Sequence, residues 1–203
     1  MTANDLTREG SPGDLVAEWY EKEYKDKSYS RFETFSISLK TIYNNNEFPV
    51  IVETGCIRAL DDYGAGYSTK IFAECIKEFG GELYSIDTNN EFVDFAKSIT
   101  DPILPEVNYI LGNSIEVLKT FNKKIDLLYL DSMDCPPEGD ASKSQIHNLN
   151  EYYSAKDKLT DNCVILIDDV GFDNGGKALI TNEILKNENY NCLLKHQQVV
   201  WVR

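Results

Sequence analysis

Acidic residues close four apolar runs of this 203-residue chain: Glu53 ends VIVE, Asp87 ends LYSID, Asp131 ends IDLLYLD, and the pair Asp168-Asp169 ends VILIDD. A carboxylate can accept hydrogen bonds from ribose hydroxyls, ligate a hard cation or take up a proton, so four in comparable places suggest a reactive site. The run ending at Glu53 enters a turn bearing Gly55, Gly64 and Gly66, which leads to a helix beginning near Tyr67-Ser68-Thr69. Glycine lets backbone approach a ligand closely, and a helix start offers free N–H groups. Asp87 falls where an acidic residue accepts both ribose hydroxyls of a bound nucleoside. An unpaired charge is costly within a packed layer, so these carboxylates are expected at the rim.

The elements that must hold them follow from the alternation of short apolar runs with helical patterns, the mark of a parallel sheet covered on both faces. Strands are expected over 50–53, 83–87, 107–111, 125–131 and 164–168, with helices over 68–79, 91–99, 114–121 and 146–159. A further helix near 177–187 precedes two strands, 192–194 and 199–202, which a tight connection at His196-Gln197 would make antiparallel. In such a sheet, ligands bind beyond the carboxyl ends of the strands. Ahead of the core, Asp14 is expected to cap a helix through Leu15, Trp19 and Tyr20, and Phe32, Phe35, Leu39 and Ile42 mark a second. The expected division is a helical extension over 1–48 and a core domain over 49–203.

The length suits one domain with a full core. A formal net charge of −14, with acids scattered along the chain and no Lys/Arg run, argues against nucleic acid as a partner. Five cysteines, Cys56, Cys75, Cys135, Cys163 and Cys192, lie far apart without a C-x-x-C pair, so a reducing compartment is expected. No apolar stretch approaches the roughly 18 residues a membrane span requires, and a cytoplasmic location follows as the expectation.

The segments ETGC…GAGYST, LYSID, LGNSIEVL, IDLLYLDSMD and ILIDDVG resemble the successive motifs of class I S-adenosylmethionine-dependent methyltransferases over about residues 50–203. The resemblance implies a doubly wound, Rossmann-like α/β fold with a seven-stranded, mostly parallel sheet and an antiparallel C-terminal pair. It places Glu53, Thr54, Gly55 and Cys56 against the methionine part, Asp87 against the ribose, Asn113 and Ser114 against the adenine, and Asp131 beside the sulfonium. Ser68 at the helix start and Thr88 beside Asp87 join this cofactor set, as does Arg58, which would clamp a carboxylate of cofactor or acceptor or else form a surface ion pair. The glycine turn departs from the compact G-x-G-x-G by the insertion IRALDDYGA. Asp131, Asp168 and Asp169 further resemble the three-carboxylate site of metal-dependent O-methyltransferases, which implies Mg²⁺ or another divalent ion and a small-molecule methyl acceptor.

Asp134, three residues past Asp131, is the expected general base, with His147 as its rival. The plainer alternatives are a solvated acidic rim, a surface histidine, a structural turn at His196, a solvated Asp61-Asp62 pair, and cysteines that act as small buried filler. Trp19, Tyr20, Tyr24 and Tyr29 would either form a lid or pack onto the sheet, and Trp201 is expected in the core or an interface. A nicotinamide-dependent oxidoreductase shares the glycine turn and the acid after the second strand, but its G-x-G-x-x-G spacing is absent here. A non-catalytic cofactor-binding partner subunit is the third reading, opposed by the crowding of acids that only a cation or proton relieves. The terminal strand pair offers an edge for a homodimer.

Overall fold

The computed structural model describes residues 10–27, 29–60 and 67–203, with Tyr29 described by its backbone alone. Two helices come first, α1 (Pro12–Tyr24) and α2 (Phe32–Asn45), separated by a short 3-10 turn (Tyr29–Arg31). Strands and helices then alternate: β1 (Val50–Thr54), α3 (Ser68–Phe79), β2 (Glu82–Asp87), α4 (Asn90–Thr100), β3 (Asn108–Leu111), α5 (Ser114–Thr120) and β4 (Ile125–Leu130). After α6 (Ser142–Ala155) come β5 (Leu159–Ile167), α7 (Leu179–Asn187), β6 (Asn191–Lys195) and β7 (Val199–Val202). The sheet order is β3-β2-β1-β4-β5-β7-β6, parallel through β5, with β7 antiparallel to both of its neighbours. The expected seven-stranded sheet with an antiparallel C-terminal pair is therefore the observed one.

Alternate strand residues face opposite layers, as the two-residue period requires. On one face Ile51, Leu83, Leu127, Tyr129, Val164, Leu166 and Val200 pack under α1, α2 and α3; on the other, Val52, Ile86, Leu128, Ile165 and Ile167 pack with Leu118, Tyr152 and Leu185. Every residue of β4 is buried, because this strand lies in the middle of the sheet under both layers. Tyr20 stacks on Phe32 with ring centroids 5.3 Å apart, and Phe35 meets Phe72 and Tyr129 edge-on at 5.7 and 5.6 Å. Trp19, Tyr20 and Tyr24 thus pack rather than form a lid, and Trp201 is core, its indole N–H donating to Asn182 at 2.8 Å.

Four expectations are corrected by local chemistry. The cap of α1 is Ser11, and Asp14 is the reciprocal partner three residues on, accepting from the Ser11 backbone N–H at 3.2 Å. Strand β5 begins at Leu159, five residues before the apolar run, since its polar opening Thr160-Asp161-Asn162 lies half out of the packed layer. Helix α6 starts and stops four residues earlier than the periodicity suggests, with a 3-10 turn (Lys156–Lys158) joining it to β5. Helix α7 begins at Leu179, because the preceding residues turn inward instead of coiling. All five cysteines are free, with only Cys192 exposed. Among the described residues no helix is long and apolar enough to cross a membrane.

Candidate cofactor cleft and acidic centre

The chain leaves β1 in a backbone conformation that suits glycine: Gly55 has φ +84°, and a Cβ there would stand 2.7 Å from the Asp131 carbonyl oxygen. This tight crossing brings the ends of β1 and β4 together. Asp87 ties in the end of β2, its Oδ2 accepting from the Cys56 N–H at 3.1 Å and its Oδ1 from the Asn89 N–H at 2.8 Å. Burial, with Asp87 beside it, pushes the Cys56 thiol up, so the cysteine is a packed neutral group and not a nucleophile.

Above these strand ends lie two adjoining compartments, of about 260 and 280 Å³. The first is lined by Cys56, Arg58, Tyr67, Ser68, Asp131 and Asp134, and the second by Asn113, Ser114, Met133 and His147. Gly55, Asp87, Thr88 and Ser132 border both. The cleft thus gathers nine of the residues expected to hold a cofactor, Gly55, Cys56, Arg58, Ser68, Asp87, Thr88, Asn113, Ser114 and Asp131. Two stand behind it. Thr54 is fully buried, with its Oγ1 3.3 Å from the Asp131 N–H. Glu53 is 0 % exposed, correcting the expectation of a rim carboxylate, and accepts from the hydroxyls of Ser68 at 2.8 Å and Ser85 at 2.7 Å. Burial pushes its carboxyl up to about 7, against the pull of the Thr69, Ser85 and Ser68 hydroxyls.

Of the two candidate bases, Asp134 shares the first compartment with Asp131, its side chain 76 % exposed and its oxygens 3.2 Å from Arg58 Nη1. His147 lies in the middle of α6 and not at its start, in the second compartment, with Nε2 3.3 Å from Ser114 Oγ and 3.4 Å from Glu151 Oε1. Arg58 pairs with Asp134 and lies over the Phe92 ring. Residues 61–66, which include Asp61, Asp62, Gly64 and Gly66, lie outside the described residues.

The three aspartates assigned to a metal are committed elsewhere. Asp168 receives Arg31 Nε at 2.9 and 3.1 Å on its two oxygens, the Tyr129 hydroxyl at 2.7 Å and the Asp169 N–H at 2.7 Å. Lys177 Nζ stands 2.9 Å from Asp131 Oδ1 and 3.3 Å from Asp169 Oδ2. Among the described residues no three His, Cys, Asp or Glu side chains are arranged to hold a metal ion. The expected metal set of Asp131, Asp168 and Asp169 is therefore corrected: lone pairs that would ligate a cation already accept from a buried ammonium and a guanidinium. Burial alone would lower the Lys177 pKa, but Asp131, Asp169 and Asp168 together hold it above the ordinary value. Burial also pushes the Asp131 carboxyl up, with the Lys177 ammonium pulling it back.

Sequence reasoning missed Lys177, Arg31, Tyr129 and Gln198. The one local signal was Gly175-Gly176 directly before Lys177. Both glycines have positive φ, +88° and +62°, and a Cβ on Gly176 would come within 2.0 Å of the Asp169 carbonyl oxygen. That turn, fixed by the Lys177 N–H donating to the Asp169 carbonyl at 3.0 Å, feeds the lysine side chain into the protein.

A sheet in this order, with its cleft at the carboxyl ends of β1, β2 and β4, is the Rossmann-like fold that class I S-adenosylmethionine-dependent methyltransferases share. The chain belongs to the family described as "Methyltransferase domain", which matches residues 62–170. No curated protein matches it. Among solved structures it resembles the Podospora anserina methyltransferase PaMTH1, determined with SAH bound, at 17% identity and TM-score 0.62, covering 96% of this chain and 88% of that one. The O-methyltransferase NovP matches at 13% identity and TM-score 0.61 over 94% and 97% of the two chains. An rRNA methylase from Streptococcus thermophilus matches at 11% and 0.55 over 97% and 99%. At these identities the likeness is one of fold.

Proposed function

We propose that the protein binds S-adenosylmethionine across both compartments and transfers its methyl group to an oxygen of a small-molecule acceptor. The observation that carries this reading is the position of Asp87 on the border of the two compartments, where a nucleoside lying across the cleft presents its ribose hydroxyls. The methionine part then lies along Gly55, Cys56 and Arg58 near Ser68, and the adenine along Asn113 and Ser114 beside His147. Thr88 borders the ribose.

The Asp131 carboxylate at the cleft wall favours a sulfonium, a cation brought into a partly water-excluded site. The acceptor oxygen attacks the methyl carbon in line with sulfur, the carbon–sulfur bond breaks, and its electron pair stays on sulfur to give S-adenosylhomocysteine. Most of the acceleration comes from holding the oxygen close to the methyl carbon. The acceptor's proton goes to Asp134, whose exposed side chain opens into the compartment beside Arg58, whereas Asp131 is held by the buried Lys177 ammonium.

O-methylation is supported by the likeness to NovP, and a small acceptor by the net charge of −14, which opposes an RNA substrate despite the likeness to an rRNA methylase. Calorimetry and thermal scanning with S-adenosylhomocysteine and with NAD test the cofactor. The expected result is binding and a raised Tm with the former alone. Asp87→Ala should weaken that binding by about 1–3 kcal/mol while leaving the circular dichroism intact. Absence of any affinity for S-adenosylhomocysteine in the unaltered protein overturns the proposal. Labelled S-adenosylmethionine with a panel of hydroxylated small molecules then identifies the acceptor class.

A further inference from the structure

We propose that Lys177 is a built-in cation that takes the place of a divalent ion at the acidic centre, so that the enzyme positions Asp131 and transfers methyl groups without a metal. The inference deepens the methyl-transfer reading and rests on it for its catalytic half. Its structural half stands alone.

Lys177 is 2 % exposed, yet its ammonium reaches two carboxylates, at 2.9 Å from Asp131 and 3.3 Å from Asp169. A lysine is almost never buried unless its charge is paired, and here the pairing is with the acids that would otherwise converge on a metal. The third acid, Asp168, has its own cation in Arg31, which also approaches Asp169 at 3.8 Å. Three carboxylates thus face two fixed positive charges, which leaves little of the uncompensated negative charge that draws a divalent ion into an oxygen cage.

The position is constructed and not incidental. Gly175 and Gly176 adopt conformations that side chains rarely tolerate, and Gln145 Nε2 donates to the Gly176 carbonyl at 3.1 Å and the Asn174 carbonyl at 3.3 Å. Asn174 Oδ1 accepts the Gly176 N–H at 3.0 Å. A turn clamped from both sides delivers the lysine inward at one place.

Lys177 does not line the cleft, whereas Asp131 does, with 23 % of its side chain exposed. Lys177 is accordingly a positioning residue. It fixes one carboxylate oxygen of Asp131; the other lies 3.1 Å from the Tyr129 hydroxyl, whose single proton goes to the nearer Asp168 at 2.7 Å. A single ammonium cannot chelate two acceptor oxygens as a divalent ion does, so the acceptor needs no pair of adjacent hydroxyls.

The test titrates Mn²⁺ into the full chain, with and without S-adenosylhomocysteine, for the unaltered protein, Lys177→Ser and Lys177→Arg. The unaltered protein should bind no Mn²⁺ in the micromolar range, and chelator should not alter its turnover. Lys177→Ser, with its aspartates freed, should gain Mn²⁺ binding and a Mn²⁺-dependent rise in Tm, and lose about a hundredfold in kcat with little change in KM, the scale on which a displacement of about 1 Å acts. Lys177→Arg should recover part of that loss and bind no Mn²⁺. Stoichiometric micromolar Mn²⁺ binding by the unaltered protein, abolished by Asp131→Asn, overturns the inference, and so does a folded Lys177→Ser that neither gains Mn²⁺ nor loses kcat. If Lys177→Ser does not fold, the unaltered protein's titration and chelator response decide alone. Failure to bind S-adenosylhomocysteine would sink the methyl-transfer reading and leave the metal titrations to be read as before.

Discussion

Arg31 and Asp168, 137 positions apart in the chain, form a buried ion pair in which Arg31 Nε lies 2.9 Å from one carboxylate oxygen and 3.1 Å from the other. Removing one partner of a buried pair strands the other's charge, which costs about 3–5 kcal/mol. Arg31→Ala should therefore lower the unfolding free energy by about that amount in urea titration. A loss no larger than an exposed pair gives would mean that water reaches Asp168.

Gly176→Ala should be nearly as damaging although it adds one methyl group. The new Cβ would meet the Asp169 carbonyl at 2.0 Å in a backbone held at φ +62°. Strain and displacement together should cost on the order of 2–4 kcal/mol and lower Tm by several degrees. A thermal scan that overlays the unaltered protein's would show that the turn is looser than this geometry.

Glu53 should leave a signature in the dependence of stability on pH. Its carboxyl, ordinarily near 4.5, is raised by burial to about 7. Between these values the folded protein keeps a proton that the unfolded chain has released, so this group's contribution to stability falls as pH rises through the window and stays low above it. The full penalty is on the order of 3 kcal/mol. Glu53→Gln has no proton to lose, so its stability relative to the unaltered protein should rise between about pH 5 and about pH 8. Parallel denaturation midpoints across that range would show that Glu53 is ionised in the fold.

Asp134 and His147 should separate kinetically. Asp134→Asn is expected to reduce kcat by about 10²–10⁴, the usual contribution of a positioned base. His147→Ala should leave kcat near its original value and weaken S-adenosylhomocysteine binding, since His147 lies with Ser114 in the other compartment. The reverse pattern in single-turnover assays would exchange their roles.

Much of the scaffold was legible because it is written locally. The limits of α3 at Ser68 and Phe79 and of β7 at Val199 and Val202 follow from apolar spacing, with Gly80 ending the helix. Gly55 and Asp87 could be recognised because a glycine turn and an acid at the next strand end are short-range patterns. The acidic centre was not legible in the same way. That Asp131, Asp168 and Asp169 converge follows from the strand order, but whether the balancing charge is a metal or a side chain depends on Arg31 and Lys177. These arrive from an N-terminal turn and from the turn before α7, and no periodicity encodes their arrival. Glu53 was misplaced at the rim because two serines on separate elements, Ser68 and Ser85, satisfy it inside.

The last strand begins one residue after Gln198, whose buried amide donates to the Tyr129 hydroxyl at 3.1 Å and to Asp168 at 3.3 Å and accepts from Thr34 at 2.5 Å. Arg31 and Thr34, near the other end, grip the same centre. Asp168 is thus held from 137 positions before it and from 30 positions after it, so local opening of either the turn at Arg31 or the start of the last strand loosens the same carboxylate.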